Sequence, residues 1–373
     1  MGHDLLPPAP LRLGGELLPM VGPVRLYVCG VTPYDVTHLG HAATFVWVDA
    51  LVRTLRAANM QPIVTRNVTD VDDVLTEAAR RAGSPYDEYA AIHQYAFDHD
   101  MSELGVRRPD HEPRAHQHIG DVIRLAQALI DAGAAYEVAG TVYFRGSGVP
   151  SAAGVTEAVA RDALVEFGEQ PDDPAKESPF DVPVWRSSTG GDPAWPSPWG
   201  PGRPGWHAEC TAMVLSHYGS SLDIHAGGAD LAFPHHAYEA AQAEAATGVM
   251  PFARAWMRAG TVRIGGEKMA KSTGNLVLVA DVLKQHRPGA LRLLILDRHW
   301  ADAWDYTPEA LTAAEGQLDS LHAAAGRLGD SEAAEREVLI RLLDDIDVRG
   351  AIGVALESGG RPARVLVQVL GLS

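Results

Sequence analysis

Residues 24–41 read VRLYVCGVTPYDVTHLGH, and this stretch decides the fold class. Residues 24–31 are apolar and β-branched and close on Gly30, the pattern of a buried strand. A turn follows at 32–35. Residues 41–58 then place Phe45, Val48, Leu51, Val52 and Leu55 at helical spacing, and 61–68 (QPIVTRNV) read as the next strand. A strand, a loop, a helix and a second strand open a doubly wound α/β sheet. Inside this unit, Thr37-His38-Leu39-Gly40-His41 stands where a helix begins, and helix N-termini favour anions. Taken alone, the two histidines read equally well as a surface pair beside a turn.

Further along, 85–133 reads as mostly helical and 140–145 as a short strand. Residues 146–204 are rich in Pro, Gly, Ser and Asp, an insertion of loops and short elements. Regular pattern resumes with a helix near 207–218, a strand at 222–225, a helix over 236–247 and a strand near 259–264. After Asp281 the chain reads as helix, broken by a loop near 299–306. Leu339–Ser373 shows one short acidic helix pattern.

Composition narrows the function classes. The chain has 373 residues and a formal charge of −17, so it does not coat nucleic acid by bulk electrostatics. Two cysteines, Cys29 and Cys210, are too few for a disulfide scaffold. The N-terminus lacks the basic start and apolar run of a signal peptide, and no stretch approaches the ~18 apolar residues of a membrane span. A cytoplasmic protein with no membrane partner is expected. Only four of the 31 basic residues are lysines, and Lys268 and Lys271 sit together in EKMAKS, with glycines at 265, 266 and 274. A glycine-flanked loop with two compact ammonium groups can close on a triphosphate. A solvated charged turn describes the same residues.

Together, the histidine signature and the lysine loop resemble those of class I aminoacyl-tRNA synthetases. The stretches YVCGVT (27–32), NVTDVDD (67–73), GRPGWHAEC (202–210), GGAD (227–230) and FPHH (233–236) resemble the cysteinyl branch, over about residues 20 to 310. The resemblance implies a Rossmann (HUP) catalytic domain divided as 20–110 and 205–280. A connective insertion and helical segment would fill 111–204. A short helical region over 281–373 would carry no anticodon-binding domain.

It implies roles as well. His38, His41, Lys268 and Lys271 would stabilise phosphate charge on ATP with Mg2+. Cys29, Gly30, Val31, Thr32, Thr44, Asn67, Val68, Thr69, Trp206, Gly228, Ala229, Asp230 and Val262 would bind substrate and adenylate. Thr69 with Asn67 would hold the amino acid's ammonium, Asp230 the ribose hydroxyls, and Trp206 would wall the thiol pocket. Cys29, Cys210 and His235 would hold one Zn2+, with Glu239 one helical turn beyond. Spacing alone describes these cysteines as two buried small side chains. Zinc that grips a substrate thiol separates cysteine from serine.

Three features resemble the mycothiol ligases, which join L-cysteine to the amine of glucosaminyl-inositol. Ala43 stands where the tRNA enzymes usually have arginine. A proline-spaced insertion runs through 168–179, and DAWDY through 302–306. There are departures. Glu169-Gln170 replaces the usual Gly-Asp, Ala270 replaces serine in the lysine loop, and 233–248 is closer to the tRNA enzymes. With a net charge of −17 and no basic run in Leu339–Ser373 for a phosphate backbone, tRNA is not the expected acceptor, and the departures leave a tRNA-charging enzyme and a paralogue serving another amine or carrier open. Monomer and homodimer stay open as well.

Overall fold

The computed structural model describes residues 6–34, 36–190, 192–269 and 274–373. The elements run in this order. A hairpin of β1 (Leu11–Leu13) and β2 (Glu16–Leu18) leads to β3 (Val24–Val31), α1 (Leu39–Ala57) and β4 (Pro62–Val68). Then come α2 (Asp73–Ala82), α3 (Tyr86–Glu103), α4 (Ile119–Asp131), β5 (Ala135–Val138), β6 (Thr141–Phe144), α5 (Val149–Ala152), α6 (Glu157–Glu166), β7 (Val182–Ser187) and β8 (Gly202–Pro204). The second half holds α7 (Trp206–Tyr218), β9 (Leu222–Gly228), α8 (Ala237–Thr247), β10 (Ala253–Ala259), β11 (Val262–Ile264) and β12 (Glu267–Lys268). After these come α9 (Val279–Leu283), α10 (Pro288–Leu296), β13 (Trp304–Asp305), α11 (Pro308–Gly326), α12 (Glu332–Leu343), α13 (Val348–Ser358) and α14 (Gly360–Leu370). No described helix is long and apolar enough to cross a membrane.

The central sheet is parallel, in the order β10-β9-β3-β4. Both its faces are covered, which is why its first strand reads as an unbroken apolar run. Successive side chains of a strand point to opposite faces. Leu26 and Val28 of β3 therefore join the core shared with α1, while Tyr27 and Cys29 join the core that contains Cys210 and Met213 of α7. Alternation on one strand thus puts the two cysteines on the same side of the sheet. From β3 the chain moves outward to β4 in one direction, and from β9 to β10 in the other. The crevice between the carboxyl ends of β3 and β9 is the switch point where ligands bind in such sheets.

Several expectations need correction. The strand expected near 259–264 is two strands, and β10, which completes the sheet, begins at Ala253. Its alternating Ala-Arg-Ala-Trp-Met-Arg-Ala lacks β-branched residues. The stretch 85–133 is mostly helical, as expected, in α3 and α4, but between them 106–114 run extended beside β4, bridging Thr65 to His111 and Val68 to Arg114. The insertion is more ordered than its composition implies. Strands β5–β8 form an antiparallel sheet over a core of its own, with Trp185 and Tyr238 fully buried. The C-terminal stretch holds three helices, α12 to α14, where one was expected, and the loop near 299–306 contains β13.

One clamp fixes the N-terminal hairpin to the sheet. Asp223 of β9, 5% exposed, accepts from the Arg25 amide at 2.9 Å, from its guanidinium at 3.1 Å and from Arg254 at 2.9 Å; Arg254 also donates to the Pro19 carbonyl at 2.9 Å. Burial alone would raise the Asp223 pKa; the Arg25 and Arg254 bonds outweigh it and hold it below the usual value. A depressed carboxyl contributes stability above its unfolded pKa of ~3.9, and that contribution is lost as pH falls through the folded value. Asp223→Asn is expected to lower stability by about 1–3 kcal/mol at pH 7. The gap to wild type should close in thermal melts taken below pH ~3.9.

Candidate active site

Helix α1 begins at His38, whose Nδ1 accepts from the Gly40 amide at 3.1 Å, while His41 Nδ1 accepts from the His38 amide at 3.4 Å. The two rings stack with centroids 3.9 Å apart. With each Nδ1 accepting, the neutral rings carry their protons on Nε2, which makes them donors. Gly40 is required here, because a Cβ would fall 2.8 Å from the His38 ring. The helix start and both imidazoles line a cavity of about 310 Å³ at the switch point.

Much of the nucleotide-binding set expected from the sequence meets at this cavity. Cys29, Gly30 and Thr44 line it from the β3–α1 side, Gly228, Ala229 and Asp230 from the end of β9, and Val262 and Lys268 from the β11–β12 ribbon. Lys268 Nζ lies 3.3 Å from Asp230 and 3.8 Å from Glu166 of the insertion, so the ribbon, the end of β9 and the insertion meet over one charge. The Val262 carbonyl accepts from the Met269 amide at 3.1 Å. Lys271 lies outside the described residues.

Below the cradle lies the sulfur centre. One ligand atom from each of Cys29, Cys210, His235 and Glu239 falls within 4.8 Å of all the others, and every one of these side chains is buried. Cys29 Sγ is 3.7 and 3.8 Å from the two Glu239 carboxylate oxygens, and His235 Nε2 is 3.8 Å from one of them. A second set, Cys29, His225, His236 and Glu239, meets the same criterion and shares two members with the first. Burial raises both thiol pKa values and pulls that of His235 down to about 3. Two thiols, imidazoles and a carboxylate in a dry pocket match the tetrahedral N/S/O chemistry of zinc, and a cation would favour thiolates there. His225 and His236 were not anticipated as ligands: His225 stands two residues before GGAD, alone in an apolar strand, and His236 is the second histidine of the quoted FPHH.

Asn67 braces this centre. Its Oδ1 accepts from the Gly30 amide at 2.8 Å and its Nδ2 donates to Cys210 Sγ at 3.3 Å, so both ends of its amide have protein partners. The approach is close, and a Cβ on Gly30 would sit 1.7 Å from the Asn67 carbonyl oxygen. Thr69 Oγ1 is 2.7 Å from Thr32 Oγ1. Val31 and Val68 pair at the strand ends and line neither this cavity nor the next. Trp206 opens α7 and stacks on His235 at 4.1 Å. Together with Thr32 it lines a second, acidic cavity of about 470 Å³, walled by Asp72, Glu209 and the end of α6.

The sequence pattern of the tRNA synthetases class I (C) catalytic domain matches residues 19–316. The chain belongs to this family. Among curated members, an L-cysteine:1D-myo-inositol 2-amino-2-deoxy-alpha-D-glucopyranoside ligase of Streptosporangium roseum is 40% identical, over 94% of this chain and 91% of its own length. The ligase of the same name from Acidothermus cellulolyticus is 44% identical, over 88% and 83%. A cysteine–tRNA ligase of Alkalilimnicola ehrlichii is 43% identical, over 85% and 68%. The class I fold is also that of Mycobacterium tuberculosis methionyl-tRNA synthetase in complex with methionyl-adenylate, which superposes with a TM-score of 0.63 at 17% identity over 94% of this chain and 82% of that one. This class I synthetase-type α/β architecture carries a sulfur-bearing centre at its switch point.

Proposed function

We propose that the chain activates L-cysteine with ATP and Mg2+ and transfers the cysteinyl group to the amine of glucosaminyl-inositol. The observation that carries the first half is the convergence of Cys29, Cys210, His235 and Glu239 under a nucleotide cradle. Zinc on these residues would supply a thiophilic seat that accepts cysteine and refuses serine, a distinction that shape alone holds to ~1–3 kcal/mol. The rest falls to the chain's own groups. Asp230 holds the ribose, and the α1 N-terminus with the Nε2 protons of His38 and His41 receives the phosphates. Lys268 neutralises charge as the cysteine carboxylate attacks the α-phosphorus and pyrophosphate leaves; Lys271 is assigned the same task. The amine nitrogen then attacks the carbonyl carbon. The amine attacks in its neutral form, after its ammonium has lost a proton to water; a C–N bond forms, the C–O bond to the adenylate phosphate breaks, AMP departs with the electron pair, and the second proton on nitrogen passes to water.

The acidic second cavity favours an amine over a polyanion as the acceptor. A tRNA acceptor is the second reading, supported by the cysteine–tRNA ligase relative at 43% identity. One experiment separates them. Cysteine-dependent exchange of labelled pyrophosphate into ATP is expected, with serine at least ~100-fold poorer. With both acceptors then offered, the amide should form with glucosaminyl-inositol. Charging of cysteine tRNA alone would transfer the assignment to the second reading, and absence of cysteine-dependent exchange would overturn both.

A further inference from the structure

The second cavity holds more carboxylate than its surroundings neutralise. Three of its acidic side chains are committed to cations. Asp73 meets Arg203 at 2.5 Å, Glu169 meets Arg186 at 3.4 Å and Lys176 at 3.6 Å, and Glu166 lies 3.8 Å from Lys268. Two others have no cation within 4 Å among the described residues. Asp72 caps α2 by accepting from the Val74 amide at 2.8 Å. Glu209, in the first turn of α7 and 1% exposed, has an Oε2 without any hydrogen-bond partner. Burial raises the pKa of Asp72 to about 6; the Val74 amide and the more distant charge of Arg186 pull the other way, and the charge of Asp73 adds to the rise.

A buried carboxylate oxygen without a partner is costly and calls for a ligand. The chemistry of that ligand follows from the walls. Two carboxyls with no cation in contact ask for one. Phe167, at the end of α6, stacks on Trp206 with ring centroids 5.6 Å apart, and Trp206 in turn stacks on His235. This aromatic row runs from the sulfur centre to the cavity and offers a flat face for the C–H side of a sugar ring. At about 470 Å³ the space exceeds what an amino acid's ammonium needs.

We infer that this cavity is the acceptor site, taking a primary ammonium borne on a hydroxyl-rich ring, with the cation against Asp72 and Glu209 and the ring laid on Phe167. The inference rests on the proposed function and deepens it by assigning where the amine waits.

The test uses Asp72→Asn, which can still cap α2 because asparagine caps as well as aspartate, together with Phe167→Ala and Phe167→Tyr. For the first two, the KM for glucosaminyl-inositol is expected to rise more than ~10-fold, well beyond any change in the cysteine KM measured by exchange. Phe167→Tyr, which keeps the ring, should recover most of the loss. N-acetylated glucosaminyl-inositol, uncharged at nitrogen, should compete against the amine more than ~10-fold less well with wild type, and this preference should shrink in Asp72→Asn. If the cysteine KM rises as much as the acceptor KM, the carboxyls serve cysteine's own ammonium and the inference is overturned. Amide formation indifferent to Asp72 and Phe167 removes this inference alone, whereas a wild-type enzyme that makes no amide removes the proposed function with it.

Discussion

Replacing Cys210 with alanine is expected to strip bound metal and cysteine-dependent pyrophosphate exchange in one step. The thiol is 1% exposed, within 4.8 Å of the other three donors, and receives the Asn67 amide. Losing even a partner that only hydrogen-bonds to a ligand typically costs 10–100-fold in affinity or activity, so a lost ligand should cost more than ~100-fold. The fold should survive, because alanine keeps α7 helical and the deleted group is one atom. Metal content and exchange rate, measured on one preparation, are the readouts. Cys29→Ala sharpens the result. Cys29 belongs to both candidate donor sets and Cys210 to only one. Loss of metal in both variants assigns it to Cys29, Cys210, His235 and Glu239. Loss only in Cys29→Ala assigns it to the set with His225 and His236. Undiminished exchange from fully metal-stripped wild type would show that the thiols do not act through a metal.

The parts of this site that were legible in the sequence are those carried by contiguous residues. The strand at 24–31 and the helix after it declare themselves because both are buried on every side, and a run such as VRLYVCGV has few other readings. His38 and His41 were readable for a similar reason, since a helix start and its cap lie within four residues. Residues that meet only through topology were not. Cys29 and Cys210 face each other because both lie on the α7 side of the sheet, a fact that strand alternation fixes but that spacing does not express. The pair of the second cavity with no cation in contact joins the residue that caps α2 to the first turn of α7. Asp72 sits in a quoted motif, yet which acids of that motif lack a cation depends on Arg186 and Arg203, which come from β7 and β8. Strand β10 was misplaced because its alternation is written largely in alanine, which is depleted in strands, and arginine, with no β-branched residue to mark it.

Another such long-range pair predicts the largest stability effect. Arg292 of α10 is fully buried. Its Nη2 lies 2.6 Å from Asp49 of α1, its Nε donates to the Leu370 carbonyl of α14 at 2.8 Å, and its Nη1 donates to the Leu104 carbonyl at 3.3 Å. One guanidinium thus ties the helix that presents His41 to the last C-terminal helix. Arg292→Ala would leave two carbonyls without their donor and Asp49, 2% exposed at its side chain, with Arg53 at 2.7 Å as its ion-pair partner and the Arg107 amide at 3.1 Å. Breaking a buried pair from one side costs about 3–5 kcal/mol. That loss should appear as a lower urea midpoint and as earlier proteolysis within α11–α14. Arg292→Lys should fall between the two, since it keeps the charge but not the fork that reaches three partners. Arg361→Ala, whose partners Glu335 and Asp330 are on the surface, should change the midpoint little. Equal midpoints for Arg292→Ala and Arg361→Ala would mean that the C-terminal helices hold to α1 by apolar packing alone. A lower midpoint confined to Arg292→Ala would make the clamp the joint between those helices and the nucleotide cradle.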